Sequence, residues 1–130
     1  MLGVTMVLLA ALAGQGAAID CGDAGTQLAI NECFYSEFQK ADAELNRQWA
    51  RTKAVMAGYD KDAPGTEPGP THAQALLASQ RAWLAFRDTQ CAIEGYAMRG
   101  GSGQAMLVNG CKATLTRERV KQLADLIEAN

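Results

Sequence analysis

Four cysteines, Cys21, Cys33, Cys91 and Cys111, and a single histidine, His72, are the residues of this 130-residue chain best able to do chemistry. Thiolates act as nucleophiles and, together with imidazole, hold zinc. Their arrangement argues against both uses. No C-x-x-C pair occurs, the intervals are 12, 58 and 20 residues, and His72 stands beside a Pro/Gly-rich stretch with no oriented partner. Glu32 and Glu37 are five residues apart on one predicted helix and point in different directions, so they form no acid/base pair. No G-x-S-x-G string is present. The sequence therefore predicts no catalytic residues, no metal set and no cofactor. An even cysteine count in a small chain reads instead as a disulfide framework.

Disulfides need an oxidising compartment, and the N-terminus supplies a route to one. From Met1 to Ile19 there is no charged residue, and an apolar run through Leu12 gives way to Gly16-Ala17-Ala18. This is the pattern of a signal peptide over residues 1–18, too short in its apolar run to span a bilayer. Asp20, directly before Cys21, spoils a lipoprotein box, so a protein without a membrane anchor, secreted or periplasmic, is expected over residues 19–130. With 48% hydrophobic and 20% charged residues the chain is one globular domain, and a net charge of −2 with scattered Lys and Arg gives no footprint for nucleic acid.

The elements that must position the cysteines are helical. Ile30, Phe34, Phe38, Ala41, Leu45, Trp49, Thr52 and Val55 recur at steps of three and four, predicting a first helix over 26–57 with a solvated charged face that includes Glu37 and Gln48. Residues 58–70 hold all three prolines, with Asp60, Asp62 and Glu67, and read as a flexible acidic connector. Thr71 is placed to cap a second helix that runs to about Met98, with Leu77, Leu84 and Cys91 spaced by sevens and Leu76, Trp83 and Phe86 beside them. Arg99-Gly100-Gly101-Ser102-Gly103 breaks the chain before a third helix over 104–129, whose apolar positions are Leu107, Cys111, Leu115, Leu123, Leu126 and Ile127. The fold class is all-α: a small up-down-up bundle of three main helices with two disulfides, with Trp49, Trp83, Phe34, Phe38 and Phe86 in its core.

In such a hairpin Cys91 and Cys111 come level with each other, which favours Cys91–Cys111 with Cys21–Cys33. Cys33–Cys91 with Cys21–Cys111 is also open, because antiparallel first and second helices bring Cys33 near the level of Cys91.

Three strings carry a resemblance: Asp20-Cys21-Gly22-Asp23 through Ala29-Ile30-Asn31-Glu32-Cys33, then Lys40-Ala41-Asp42-Ala43-Glu44-Leu45-Asn46, then Ser79-Gln80-Arg81-Ala82-Trp83-Leu84-Ala85-Phe86-Arg87-Asp88. With Gly100-Gly101-Ser102, Cys111 and Leu115-Thr116-Arg117-Glu118-Arg119, they resemble the lysozyme inhibitor LprI-type N-terminal domain family along essentially all of residues 19–130. The resemblance implies a bacterial, exported, disulfide-linked helical domain, and lysozyme as protein partner. The family takes its name from a lipoprotein, and the missing lipobox removes that anchor here.

By their own chemistry, Gln80, Arg81, Trp83, Arg87, Asp88 and Arg119 read as structural, with long stems covering the seam and polar heads bonding across helices. Asn31 and Asn46 face the seam as inter-helix hydrogen bonders. For partner binding the candidates are the turn with Tyr96, Arg99 and Ser102, and the connector acids Asp60 and Asp62. The expected function is inhibition of a chicken-type lysozyme, against the alternative of a non-inhibitory structural or adaptor module of the cell envelope.

Overall fold

The computed structural model describes residues 20–63 and 67–128, so the signal peptide expected over residues 1–18 lies outside the described residues. Three long helices form the fold: α1 (Gln27–Asp62), α2 (His72–Gly95) and α3 (Gln104–Glu128). Short 3-10 turns at Gly22–Ala24 and Tyr96–Met98 precede α1 and follow α2. The chain runs up, down and up. Thus α1 and α3 are parallel and share the most extensive contact, and α2 lies antiparallel to both.

Local chemistry sets the helix ends. Thr26 caps α1 by accepting the Ala29 N–H at 3.1 Å. At the other end α1 continues to Asp62, five residues past the expected stop at Ala57, so residues 58–62 belong to the helix and the connector begins at Ala63. Gly58 weakens a helix by only about 1 kcal/mol. The true stop is Pro64, which disfavours helical backbone at the residue before it.

The α2 start is held twice. Thr71 and Gln74 form a reciprocal capping box, with bonds of 3.1 and 2.9 Å. In addition Asp60, on the last turns of α1, accepts the His72 and Ala73 N–H groups at 2.8 and 2.9 Å. Its carboxylate sits where the helix dipole favours negative charge.

The apolar core gathers Leu45, Met56, Leu76 and Leu123, with Trp49, Tyr59, Trp83, Val120 and Ile127 packed around them. Polar layers interrupt it. Buried Thr52 donates to the Leu123 carbonyl at 3.0 Å and accepts from buried Gln48 at 3.1 Å. Gln48 therefore leaves the expected solvated face. Asn46 is exposed, not on the seam.

The roll of α2 also departs from expectation. Its buried stripe is Leu76, Gln80, Arg87, Cys91 and Gly95, while Leu77, Leu84 and Phe86 are exposed, Phe86 at 54%. A one-residue shift rotates a helix face by about 100°. Cys91 is common to both faces, and Gly95 marks the observed one: a Cβ there would stand 2.6 Å from a Val108 methyl. On α3, Leu126 is likewise exposed, and Ala113, Thr116, Arg119 and Leu123 form the buried face.

Both disulfides are formed, Cys21–Cys33 with Cα atoms 5.8 Å apart and Cys91–Cys111 with 5.4 Å. Of the two pairings open in the sequence, this is the one that ties the segment before α1 back onto that helix and joins α2 to α3. Each cross-link contributes roughly 2–4 kcal/mol to a domain with a modest core.

Candidate functional site

The turn joining α2 to α3 is the most tightly tied irregular segment of the described residues. Gly100 takes φ +76°, a left-handed conformation that glycine adopts without strain. The Arg99 N–H donates to the Tyr96 carbonyl at 3.1 Å and the Gly101 N–H to the Met98 carbonyl at 2.9 Å. Gln104, in the first turn of α3, accepts the Gly100 N–H at 3.0 Å. A Cβ on Gly103 would collide with the Met98 thioether, so the turn closes on itself.

Long-range ties fix the turn to the bundle. Asn31 donates its side-chain amide to the Ser102 carbonyl at 2.8 Å and accepts from Gln27 at 2.8 Å. The Cys91–Cys111 bridge locks the two helices behind it. On this frame Tyr96 and Met98 are exposed, and the Arg99 guanidinium lies over the Tyr96 ring, 4.5 Å from its centroid. Stacking restricts Arg99 while leaving its donors for an acceptor outside the chain. The Ser102 side chain is exposed, and only its backbone is used in the tie.

The structure does not bring the connector acids to this tip. Asp60 lies 29 residues beyond Asn31 on the same helix, about 43 Å at 1.5 Å per residue. Its carboxylate is spent on α2: the Ala73 N–H first, then the His72 N–H and ring, hold it below the usual aspartate range. His72, expected to lack an oriented partner, has its Nδ1 2.9 Å from Asp60 and its ring edge-on to Tyr59. Asp62 is exposed.

Arg87 is buried, bonded to Asp88 at 3.0 Å, 3.7 Å from Asp42, and over the rings of Phe38 and Trp83. Buried Arg119 donates to Gln80 at 3.0 Å, Ser79 at 2.9 Å and Gln122 at 3.2 Å, also over Trp83. Desolvation shifts its pKa downward. These groups bind α2 to its neighbours, whereas Arg81 is exposed.

Several contributors have no strong signal in the sequence. Glu37, expected on a solvated face, accepts from Arg117 of α3 at 2.6 Å and from Lys40 at 3.0 Å. The Arg117 bond, then Lys40, hold its carboxyl below the ordinary glutamate range. An open trough of about 370 Å³ crosses the outer face of α3, lined by Phe34, Glu94, Met106, Leu107, Gly110, Cys111, Thr114 and Leu115. Gly110 inside a helical run is the one hint of it, since a Cβ there would press on the Phe34 ring at 3.1 Å. The sulfurs of Cys91 and Cys111 and the Glu94 carboxylate lie within 4.8 Å of one another, but the sulfurs are joined, leaving no thiolate to ligate.

Charge is unevenly placed. In the half of the bundle nearest the tip, Glu37, Asp42 and Asp88 are matched by Lys40, Arg117, Arg87 and Lys112. That leaves Asp20, Asp23, Glu32 and Glu94 against Arg99. Acids and bases are equal in number in the opposite half, so the formal charge of −2 resides at the tip end.

Fold and site define a small, disulfide-braced helical module that holds a rigid turn out to solvent. The chain belongs to the LprI lysozyme inhibitor family, whose description, Lysozyme inhibitor LprI, matches residues 19–123. It is also 40% identical over 111 residues to an uncharacterized protein of Rhizobium meliloti (strain 1021), covering 85% of this chain and 80% of that one. No solved structure matches the chain. Among the described residues no helix is long and apolar enough to cross a membrane.

Proposed function

We propose that this protein acts outside the cytoplasm, secreted or periplasmic, as an inhibitor of a chicken-type lysozyme. The inhibitory element in this reading is the tip, which docks in the enzyme's cleft. Family membership supports the target, and the pre-tied tip supports the mode. A glycosidase cleft of this kind carries two carboxyl groups, and Arg99, with the Ser102 hydroxyl beside it, offers the donors that two carboxyl groups accept. The acidic tip end speeds encounter with a basic enzyme. Two disulfides suit an oxidising compartment. The protein's part is binding, with no chemical step of its own.

The single observation that carries this reading is the 2.8 Å tie from Asn31 to the Ser102 backbone, which orders the turn before any partner arrives. The test is titration of the oxidised, exported protein into a lysozyme cell-wall lysis assay at moderate salt. Loss of lysis at micromolar inhibitor, weakened by Arg99→Ala, is the expected result. Unchanged lysis with no detectable complex refutes it and leaves the role of an envelope adaptor.

A further inference from the structure

We infer that the trough on the outer face of α3 is a second contact surface, which seats an apolar-stemmed cationic side chain, an arginine or lysine, of a basic partner protein. Its floor is made of small residues, Gly110, Cys111 and Thr114, and the Phe34 ring forms a wall. A volume of about 370 Å³ is at the low end for ligand pockets, sized for one or two side chains. The lining is mainly apolar, with the Thr114 hydroxyl and one charge, Glu94, whose side-chain bond among the described residues is a 3.3 Å contact from Gln90 and which has no cation partner there. An aliphatic stem along the trough with its charged head at Glu94 satisfies both parts at once.

Placement and charge select this occupant. Met106 and Leu107, which open the trough, lie within one turn of Gly103, so one partner surface can cover tip and trough together. The whole net charge of −2 is at this end, which favours a basic protein and disfavours a second copy, since a two-fold contact here would face like charges. The leader is a poor occupant as well, because residues 1–19 contain no Lys or Arg to meet Glu94.

For the partner's identity, though not for the trough's chemistry, this inference rests on the lysozyme reading. The test uses the oxidised full-length secreted protein and two variants at exposed positions. Thr114→Trp fills the trough, and Glu94→Gln removes its charge. Both should keep the wild-type helical circular dichroism. Against lysozyme, Thr114→Trp should raise Kd about tenfold or more, and Glu94→Gln about fivefold, with a shallower salt dependence. Wild-type Kd in both variants overturns the trough, whatever Arg99→Ala does.

If wild-type protein does not bind lysozyme, the lysozyme reading fails separately. The trough is then read by the NMR methyl signals of Met106, Leu107 and Leu115 during titration with N-acetyl-leucyl-arginine amide and with its leucyl-glutamine counterpart. Shifts with the arginine peptide that Glu94→Gln abolishes support the inference. Equal responses to both peptides, none to either, or concentration-dependent dimerisation abolished by Thr114→Trp overturns it.

Discussion

Replacing Asn31 isolates what the tip's rigidity is worth. Its side-chain amide donates to the Ser102 carbonyl at 2.8 Å, the one donor to that oxygen among the described residues, and the bond spans 71 residues of sequence. A hydrogen bond of this kind contributes about 0.5–1.5 kcal/mol net, and Asn31 is only half-buried, so water replaces part of the loss. Asn31→Ala should therefore lower global stability by about 1 kcal/mol in urea unfolding, and free the turn by the same order. At about fivefold per kcal/mol, amide exchange at Gly101 and Gln104 should accelerate about fivefold, because their bonds to Met98 and Gly101 sit inside the released turn. On the proposed lysozyme reading, Kd should rise by at most about fivefold, the limit that the same loss of about 1 kcal/mol sets on the population of the competent turn.

Asn31→Asp is the sharper control. It keeps an acceptor for Gln27 but turns a donor into a charge facing a carbonyl, so it should loosen the turn at least as much. Unchanged exchange at Gly101 and Gln104 in both variants would refute the claim that this tie orders the tip.

Gly95→Ala places a methyl 2.6 Å from a Val108 Cγ and should destabilise by about 1–3 kcal/mol in urea unfolding, with Val108→Ala restoring part of the loss. Glu37 titrates below its ordinary value of 4.5 when folded, so it binds fewer protons folded than unfolded, and its stabilisation is present above that value and lost as pH falls through the folded pKa. Glu37→Gln should accordingly be less stable than wild type near neutrality, and the two thermal stabilities should converge in acid. Removing Cys91–Cys111 as a paired Ala variant should cost about 2–4 kcal/mol, read from the urea midpoint under oxidising conditions.

The helices were legible because their ends carry strong local chemistry. Thr26, the Thr71-to-Gln74 box and the Gly100–Gly103 break act over a few residues, and those signals survive without tertiary context. Helix level favours the disulfide pairing that is formed, but leaves Cys33–Cys91 with Cys21–Cys111 open. What stayed hidden depends on which way each helix rolls. Leu77 and Leu84 look like a seam, yet α2 rolls toward Gly95 so that Gln80 and Arg87 are inside, where Gln80 accepts from Arg119 and Arg87 meets the Phe38 and Trp83 rings and the Asp88 carboxylate. The spacing places Thr52 on the buried face, but Gln48, whose position reads as solvated, is buried through its bond to Thr52, whose own bond to the Leu123 carbonyl no periodicity encodes. At the site, Arg99 and the glycines announced a turn, but its anchor, Asn31, lies on a different helix. The trough needed three helices to exist at all.

The parallel course of α1 and α3 has a practical side. Residue 20 enters the fold at the tip end, next to the turn proposed to face a partner, whereas Glu128 leaves it at the far end, beyond the Leu123 core. A fluorophore, purification handle or surface tether fused after α3 therefore keeps clear of the tip, while the same group fused ahead of Cys21 crowds it. Immobilising the protein through each end in turn is thus a map of which face a partner approaches, obtained without changing a single residue of the domain.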